Sequence, residues 1–326
     1  MLRLLSILLG ALVFTGALLA FAFNWVQGEI DRPGPTQGAK VIYIPRGLGS
    51  DAIGQMLLEQ GFIEKPWLLM AATQLRRDPR ALRSGEYEIP AGASLAAILE
   101  QLRAGKTVVR RLTVPEGLTS AQILDLIRTA DGLEGGMADS LPEGTLLPET
   151  YHYQRGDRRA EMVKRLQTAM QAALSEAWNS RNLSVPLRTP EELLVLASMI
   201  EKETGVAAER ERISGVFINR LRKGMKLQSD PTVLYGVVGG GGATKTLTRA
   251  DLDTDTPWNT YTRAGLPAGP ITNPGRAALM AAAKPMVTED LYFVADGTGG
   301  HAFAKTLDEH NRNVAKWRQI EKSRKP

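Results

Sequence analysis

Cysteine is absent from the 326 residues, so no disulfide braces the fold and no thiolate can hold a metal. Histidine is almost as scarce. His152, His301 and His310 are the only three, and no His-Glu-x-x-His occurs, which sets a zinc peptidase aside. Aromatic residues make up 6% and are not interleaved with a stripe of Arg and Lys. A net charge of +5 and a pI near 9.4 therefore reflect scattered basic residues and exclude a nucleic-acid partner, while suiting an anionic neighbour such as phospholipid headgroups or a wall polymer. Ser198 lacks a Gly-x-Ser-x-Gly surround, which argues against a serine hydrolase. The glycine run 239–242, followed by Ala243-Thr244-Lys245-Thr246, has Thr where a phosphate loop needs Gly before its Lys, and reads as a local loop. No cofactor and no metal are expected.

Charge is missing altogether from residues 4–23, an apolar run long enough to cross ~30 Å of hydrocarbon. Arg3 precedes it while Glu29 and Asp31 follow, so the bias of positive charge toward the cytoplasm exports the rest of the chain. A cleaved signal peptide is the competing reading, because Ala20-Phe21-Ala22 has the small-x-small form of a cleavage site. The length of the run and Trp25 at the expected interface favour an anchor. The spans expected are an anchor at 1–25, a linker at 26–38 around Asp31-Arg32-Pro33-Gly34-Pro35, a small α+β module at 39–107, and a larger mixed domain at 108–326.

One spacing occurs in Ile44-Pro45-x-Gly47 with Ile53, in Ile89-Pro90-x-Gly92 with Ile98, and in Val114-Pro115-x-Gly117 with Ile123. Each predicts a strand ending at Pro, a turn through Gly, and an amphipathic helix capped by Ser50, Ser94 or Ser120. Their uneven intervals exclude a solenoid. Further helices are expected at 160–178, 275–284 and from Leu307, with loops and short strands dominating the rest beyond Lys226. A loop-rich half beside a helical half predicts a cleft.

Residues 189–204, TPEELLVLASMIEKET, predict a short helix with Thr189 as N-cap, Pro190 in its first turn, Glu192 closing a capping box and Gly205 as a left-handed stop. At 100° per residue Val195, Leu196, Met199 and Ile200 form the core face, with Glu203 at its end, where a salt bridge to Arg220 or Arg222 is expected. Glu201 falls among Leu194, Ala197, Ser198 and Gly205, mostly small residues that would leave room for another molecule. A carboxyl near apolar walls at a helix C-terminus is pushed toward its neutral form, as a general acid requires.

The string 196–204, Leu-Ala-Ser-Met-Ile-Glu-Lys-Glu-Thr, with Val216-Phe217-Ile218-Asn219-Arg220-Leu221 and Leu227-Gln228-Ser229-Asp230-Pro231-Thr232-Val233, resembles the YceG-like (MltG-type) endolytic murein transglycosylases. Asn259-Thr260-Tyr261, the stretch 265–275, Tyr292-Phe293-Val294 and Gly299-Gly300-His301 follow the same pattern in order; Pro148-Glu149-Thr150-Tyr151 departs from it by Glu for Asp. The resemblance implies an α+β protein with a transmembrane anchor in the cell inner membrane, a LysM-like module at 39–107 and a periplasmic catalytic domain. It implies cleavage of the MurNAc-β-1,4-GlcNAc bond within nascent glycan strands to 1,6-anhydro-MurNAc ends, terminating strand elongation, with Glu201 as acid and then base. Asn219, Gln228, Asp230, Tyr235, Asn259, Tyr261 and Asn273 are the candidate substrate-binding residues. Peptidoglycan strands, the membrane and peptidoglycan synthases are the candidate partners. The alternative is a membrane-tethered scaffold that binds glycan without cleaving it.

Overall fold

A computed structural model describes residues 2–75, 78, 80–241 and 245–324. Gly242, Ala243 and Thr244 of the glycine-rich run lie outside the described residues; Gly239–Gly241 is a single 3-10 turn. In chain order the elements are α1 (Leu2–Asp31), β1 (Lys40–Ile44), α2 (Ser50–Glu59), α3 (Trp67–Leu75), β2 (Gly85–Ile89), α4 (Leu95–Ala104), β3 (Arg110–Thr113), α5 (Ser120–Thr129), β4 (Thr150–Tyr153), α6 (Arg159–Asn179), α7 (Pro190–Glu203), α8 (Arg210–Arg222), α9 (Asp230–Val238), α10 (Arg249–Asp253), α11 (Arg276–Ala283), β5 (Tyr292–Ala295), β6 (His301–Ala304) and α12 (Leu307–Arg324). The class is mixed α+β, with the strands in three two-stranded sheets: β1 with β2, β3 with β4, β5 with β6. Two compact units share the chain. One comprises Met1–Arg110 and His152–Gly156, the other Arg111–Tyr151 and Asp157–Pro326.

In the first unit β1 and β2 pair antiparallel, Lys40 opposite Ile89 and Ile44 opposite Gly85. Ile42, Ile44, Tyr87 and Ile89 meet Ile53, Leu57, Leu69, Ile98 and Leu102 in a closed core. The Pro-x-Gly turns form as expected: Gly47, Gly92 and Gly117 have φ of 84°, 65° and 76°, a left-handed conformation that glycine adopts without a Cβ clash. Two of the three caps shift by one residue. Ser94 accepts from the Ala97 N–H, but α2 is preceded by Gly49 without a side-chain cap, and α5 is capped by Thr119, in a reciprocal box with Gln122.

α1 is long and apolar enough to cross a membrane over Leu5–Asp31. The expected linker differs from what is observed: α1 runs unbroken to Asp31 and carries Ile30 into the core of the first unit. Beyond it, Gly34 N–H donates to Gly92 O and Gly92 N–H to Thr36 O, pinning the stretch to the module.

In the second unit α7 is the central helix. Leu193, Leu196, Ala197, Met199 and Ile200 have no exposed surface, and each large apolar side chain so buried contributes about 1.5–3 kcal/mol. The alanines of α11, from Ala278 to Ala283, pack in the same core with Phe217 and Ile218 of α8. Thr189 Oγ1 accepts from the Glu192 N–H at 3.2 Å, while Glu192 accepts from Arg188 N–H at 2.6 Å, one residue earlier than a reciprocal box requires. Thr204 ends the helix in extended conformation (φ −145°). Gly205 supplies no left-handed stop; Val206 N–H donates to Thr204 Oγ1 instead. α9 is an unexpected helix, opening on Asp230-Pro231, with the acid suited to the positive helix end and Pro to the first turn.

Candidate active site

α7 ends with two carboxylates, Glu201 and Glu203, on different sides of one turn. The 271–275 stretch of the chain itself packs over the small residues beside Glu201. Ser198 Oγ accepts from the Ile271 N–H at 3.1 Å, Ala197 and Ser198 are fully buried, and Glu201 Oε2 accepts from the Gly275 N–H at 2.8 Å. The Glu201 side chain keeps 5% exposure, with Arg210 Nη2 at 3.8 Å. Burial raises its pKa and the neighbouring Glu116 adds to that, while the Gly275 N–H and Arg210 oppose it. Its carboxylate is a clasp between the end of α7 and the start of α11.

Glu203 opens onto a pocket of about 460 Å3. Arg220, Gln228, Asp230, Tyr261, Tyr292 and His310 share the lining with it. Ser229 Oγ donates to Glu203 Oε1. Neither Arg220 nor Arg222 forms the expected ion pair with Glu203. Arg220 Nε donates to Leu291 O at 2.7 Å and its Nη1 to Leu227 O at 2.8 Å, and Arg222 reaches Ser184 O. Desolvation, aided by the Asp230 charge, pushes the Glu203 carboxyl up to about 7; the Ser229 hydroxyl, His301 and Arg220 pull the other way without offsetting the burial.

The pocket walls are set by polar ties from distant parts of the chain. Arg220 holds the start of β5 and the 226–227 stretch together through the carbonyls it contacts, with its guanidinium 5.2 Å from the Tyr292 ring. The turn carrying Gln228 and Ser229 is fixed by Thr260, whose carbonyl accepts from Gln228 N–H and whose hydroxyl accepts from Ser229 N–H at 2.9 Å. Gln228 has a φ of 52°, the sole positive value for a non-glycine among the described residues. Tyr261 donates its hydroxyl proton to Asp230 Oδ1 at 2.6 Å, and burial together with that bond holds its pKa well above the ordinary phenol range. Glu209 ties the turn after α7 to β6, accepting from the His301 N–H and meeting His301 Nδ1, both at 2.8 Å.

Of the candidate binding residues, Gln228, Asp230 and Tyr261 share this pocket. The other four are committed to the fold. Asn219 Nδ2 donates to Thr288 O and Asp290 O; Asn259 bridges Leu252 O, Thr254 O and the Tyr261 N–H; Tyr235 packs edge-on against Trp258. Asn273 is fully buried, accepting from Leu146 N–H and donating to Leu118 O, Ser120 Oγ and Glu143 Oε2. Arg220, Tyr292 and His310 join the lining without having been singled out for it. Tyr292 sits in a stretch the resemblance marks, whereas nothing local in the sequence signals His310.

Comparison with known proteins places this chain in a family. The YceG-like family matches residues 42–316. An endolytic murein transglycosylase of Bacillus subtilis is 31% identical over 312 residues, covering 85% of this chain and 84% of that protein. One of Streptococcus pneumoniae is 29% identical over 356 residues, covering 93% of this chain and 64% of that protein's length. The crystal structure of a yceG-like protein from Listeria monocytogenes, 28% identical, is alike with a TM-score of 0.54 over 85% of this chain and 99% of that one. With most of its length matched in sequence and in fold, the chain belongs to the YceG-like family.

Proposed function

We propose that this chain is an endolytic murein transglycosylase, cleaving the MurNAc-β-1,4-GlcNAc bond inside glycan strands and leaving 1,6-anhydro-MurNAc ends, with Glu203 as the acid and then the base. The single observation that carries the assignment of the acid is that Glu203, with a pKa near 7, opens onto a pocket shared with Asp230 and Tyr261. Glu201, the residue that helical geometry and the resemblance favour, accepts from the Gly275 N–H and is not among the residues lining that pocket. In the proposed reaction the Glu203 carboxyl gives its proton to the glycosidic oxygen as the bond to C1 breaks. The carboxylate so formed takes the proton of the C6 hydroxyl as that oxygen closes on C1. No water enters, so one carboxyl suffices where hydrolysis needs two. The Asp230 carboxylate, held by Tyr261, offers negative charge to the cation developing at the ring.

The same reading makes α1 a single-pass anchor in the cell inner membrane, with the rest of the chain periplasmic. It makes the 39–107 module a LysM-like glycan binder and the pocket part of a cleft along which a nascent strand lies; peptidoglycan synthases are its candidate partners. The test is digestion of purified sacculi followed by mass spectrometry of the chain ends. Anhydro ends, lighter by one water than hydrolytic ends, are expected. Reducing MurNAc ends would overturn the mechanism and point to Asp230 activating water.

A further inference from the structure

We propose that α3 lies in the headgroup layer of the bilayer that α1 spans, so that the first unit rests on the membrane through a second helix. The inference depends on reading α1 as a membrane span. Three observations within that unit carry it.

First, α1 has no spacer between its apolar run and the module. From Phe23, the last residue of the apolar run, to Ile30, which is fully buried in the core, is seven residues, about 10 Å of helix. Whatever packs beside this part of α1 is at the membrane surface. Second, α3 packs there and runs back along it. The Trp25 and Trp67 rings stack 6.2 Å apart, and Leu19 and Phe23 share a groove with Ala71, Gln74 and Leu75. Trp25 to Leu19 is about 9 Å along the helix, so α3 descends from the aromatic level, where tryptophans favour the interface, toward the acyl boundary.

Third, the exposed side of α3 is mainly apolar. Leu68, Leu69 and Ala72 face the core, whereas Trp67, Met70 and Leu75 are 47%, 41% and 37% exposed, with Gln74 the one strongly polar side chain exposed among them. A helix whose outer face is mainly apolar and whose axis follows a membrane span gains from burial about 5–10 Å into the interface. The charge at that level is already matched: Lys65 Nζ lies 4.9 Å over the Trp25 ring and 2.7 Å from Glu29 Oε2.

The absence of native cysteine allows a direct test on the full chain. Met70→Cys and Leu75→Cys, each carrying an environment-sensitive dye, would be placed in nanodiscs of phosphatidylethanolamine and phosphatidylglycerol containing nitroxide-labelled lipid. Phe14→Cys in α1 and Glu59→Cys on α2 are the membrane and water references. Blue-shifted, lipid-quenched emission at 70 and 75, as at 14 and unlike 59, is the expected result. Emission at 70 and 75 matching that at 59, with 14 quenched, overturns the placement of α3 and leaves the span intact. Absence of quenching at 14 as well overturns the span, and the placement of α3 with it.

Discussion

Glu201 and Glu203 stand two residues apart at the end of α7, yet the carboxyl of the first is held by the Gly275 N–H and that of the second by the Ser229 hydroxyl at a pocket wall. The difference separates two roles that their sequence spacing leaves joined. Glu203→Gln keeps the shape and removes the transferable proton, so strand cleavage should fall by ~100- to 10,000-fold with the fold retained. Glu201→Gln still accepts from Gly275 and should keep cleavage within about tenfold, losing mainly the attraction of Arg210, worth ~1 kcal/mol. Cleavage assays and thermal melts on both variants decide it. An inactive, folded Glu201→Gln beside an active Glu203→Gln would return the role to Glu201.

Protonation of Glu203 also links stability to pH. Its carboxyl is raised in the folded protein to about 7 from an ordinary 4.5. Between those values the folded state binds more proton than the unfolded state, so the stabilisation is complete below pH 4.5 and is lost as pH rises through 7. The wild type should lose about 3 kcal/mol across this window relative to Glu203→Gln. Denaturant melts at several pH values measure the difference. The rate of strand cleavage should fall about tenfold per pH unit above the same midpoint, as expected for an acid that must begin protonated.

Asp230 raises the Glu203 pKa by like charge. Asp230→Asn should therefore move the falling limb of the pH–rate profile to lower pH, and Tyr261→Phe, which frees Asp230 from its 2.6 Å bond, should lower kcat/KM by about tenfold with little change in stability. A profile unmoved by Asp230→Asn would remove Asp230 from the site.

Asn273, a binding candidate by sequence, is tied into the fold by its side-chain amide. Its amide satisfies Leu146 N–H and Leu118 O and meets the half-buried Glu143 carboxylate, so Asn273→Ala leaves several of these groups unpaired. A loss of about 2–4 kcal/mol is expected. Folded protein at low temperature should still cleave strands, which a substrate contact would not permit.

What the sequence made legible was local. The Pro-x-Gly turns and the helix faces of Ile53, Ile98 and Ile123 follow from backbone sterics and period, and all three isoleucines are buried. The placement of Glu203 with the core face was also readable. What period could not reveal is that this face ends at a pocket, because the opposite wall comes from Tyr292 and His310, remote in sequence. Small residues around Glu201 looked like an opening for substrate, and they serve instead as a seat for 271–275. α9 escaped notice because its Asp-Pro start and glycine-rich end resemble turn chemistry.

Gln228 carries an evolutionary consequence. A non-glycine side chain with φ of 52° costs roughly 1–2 kcal/mol, so selection for stability alone would drift this position toward Gly or Asn. Its side chain stands at the pocket rather than in a remote turn. Deep mutational scanning under selection for wall growth should therefore penalise Gly at 228, whereas scanning for abundance alone should reward it.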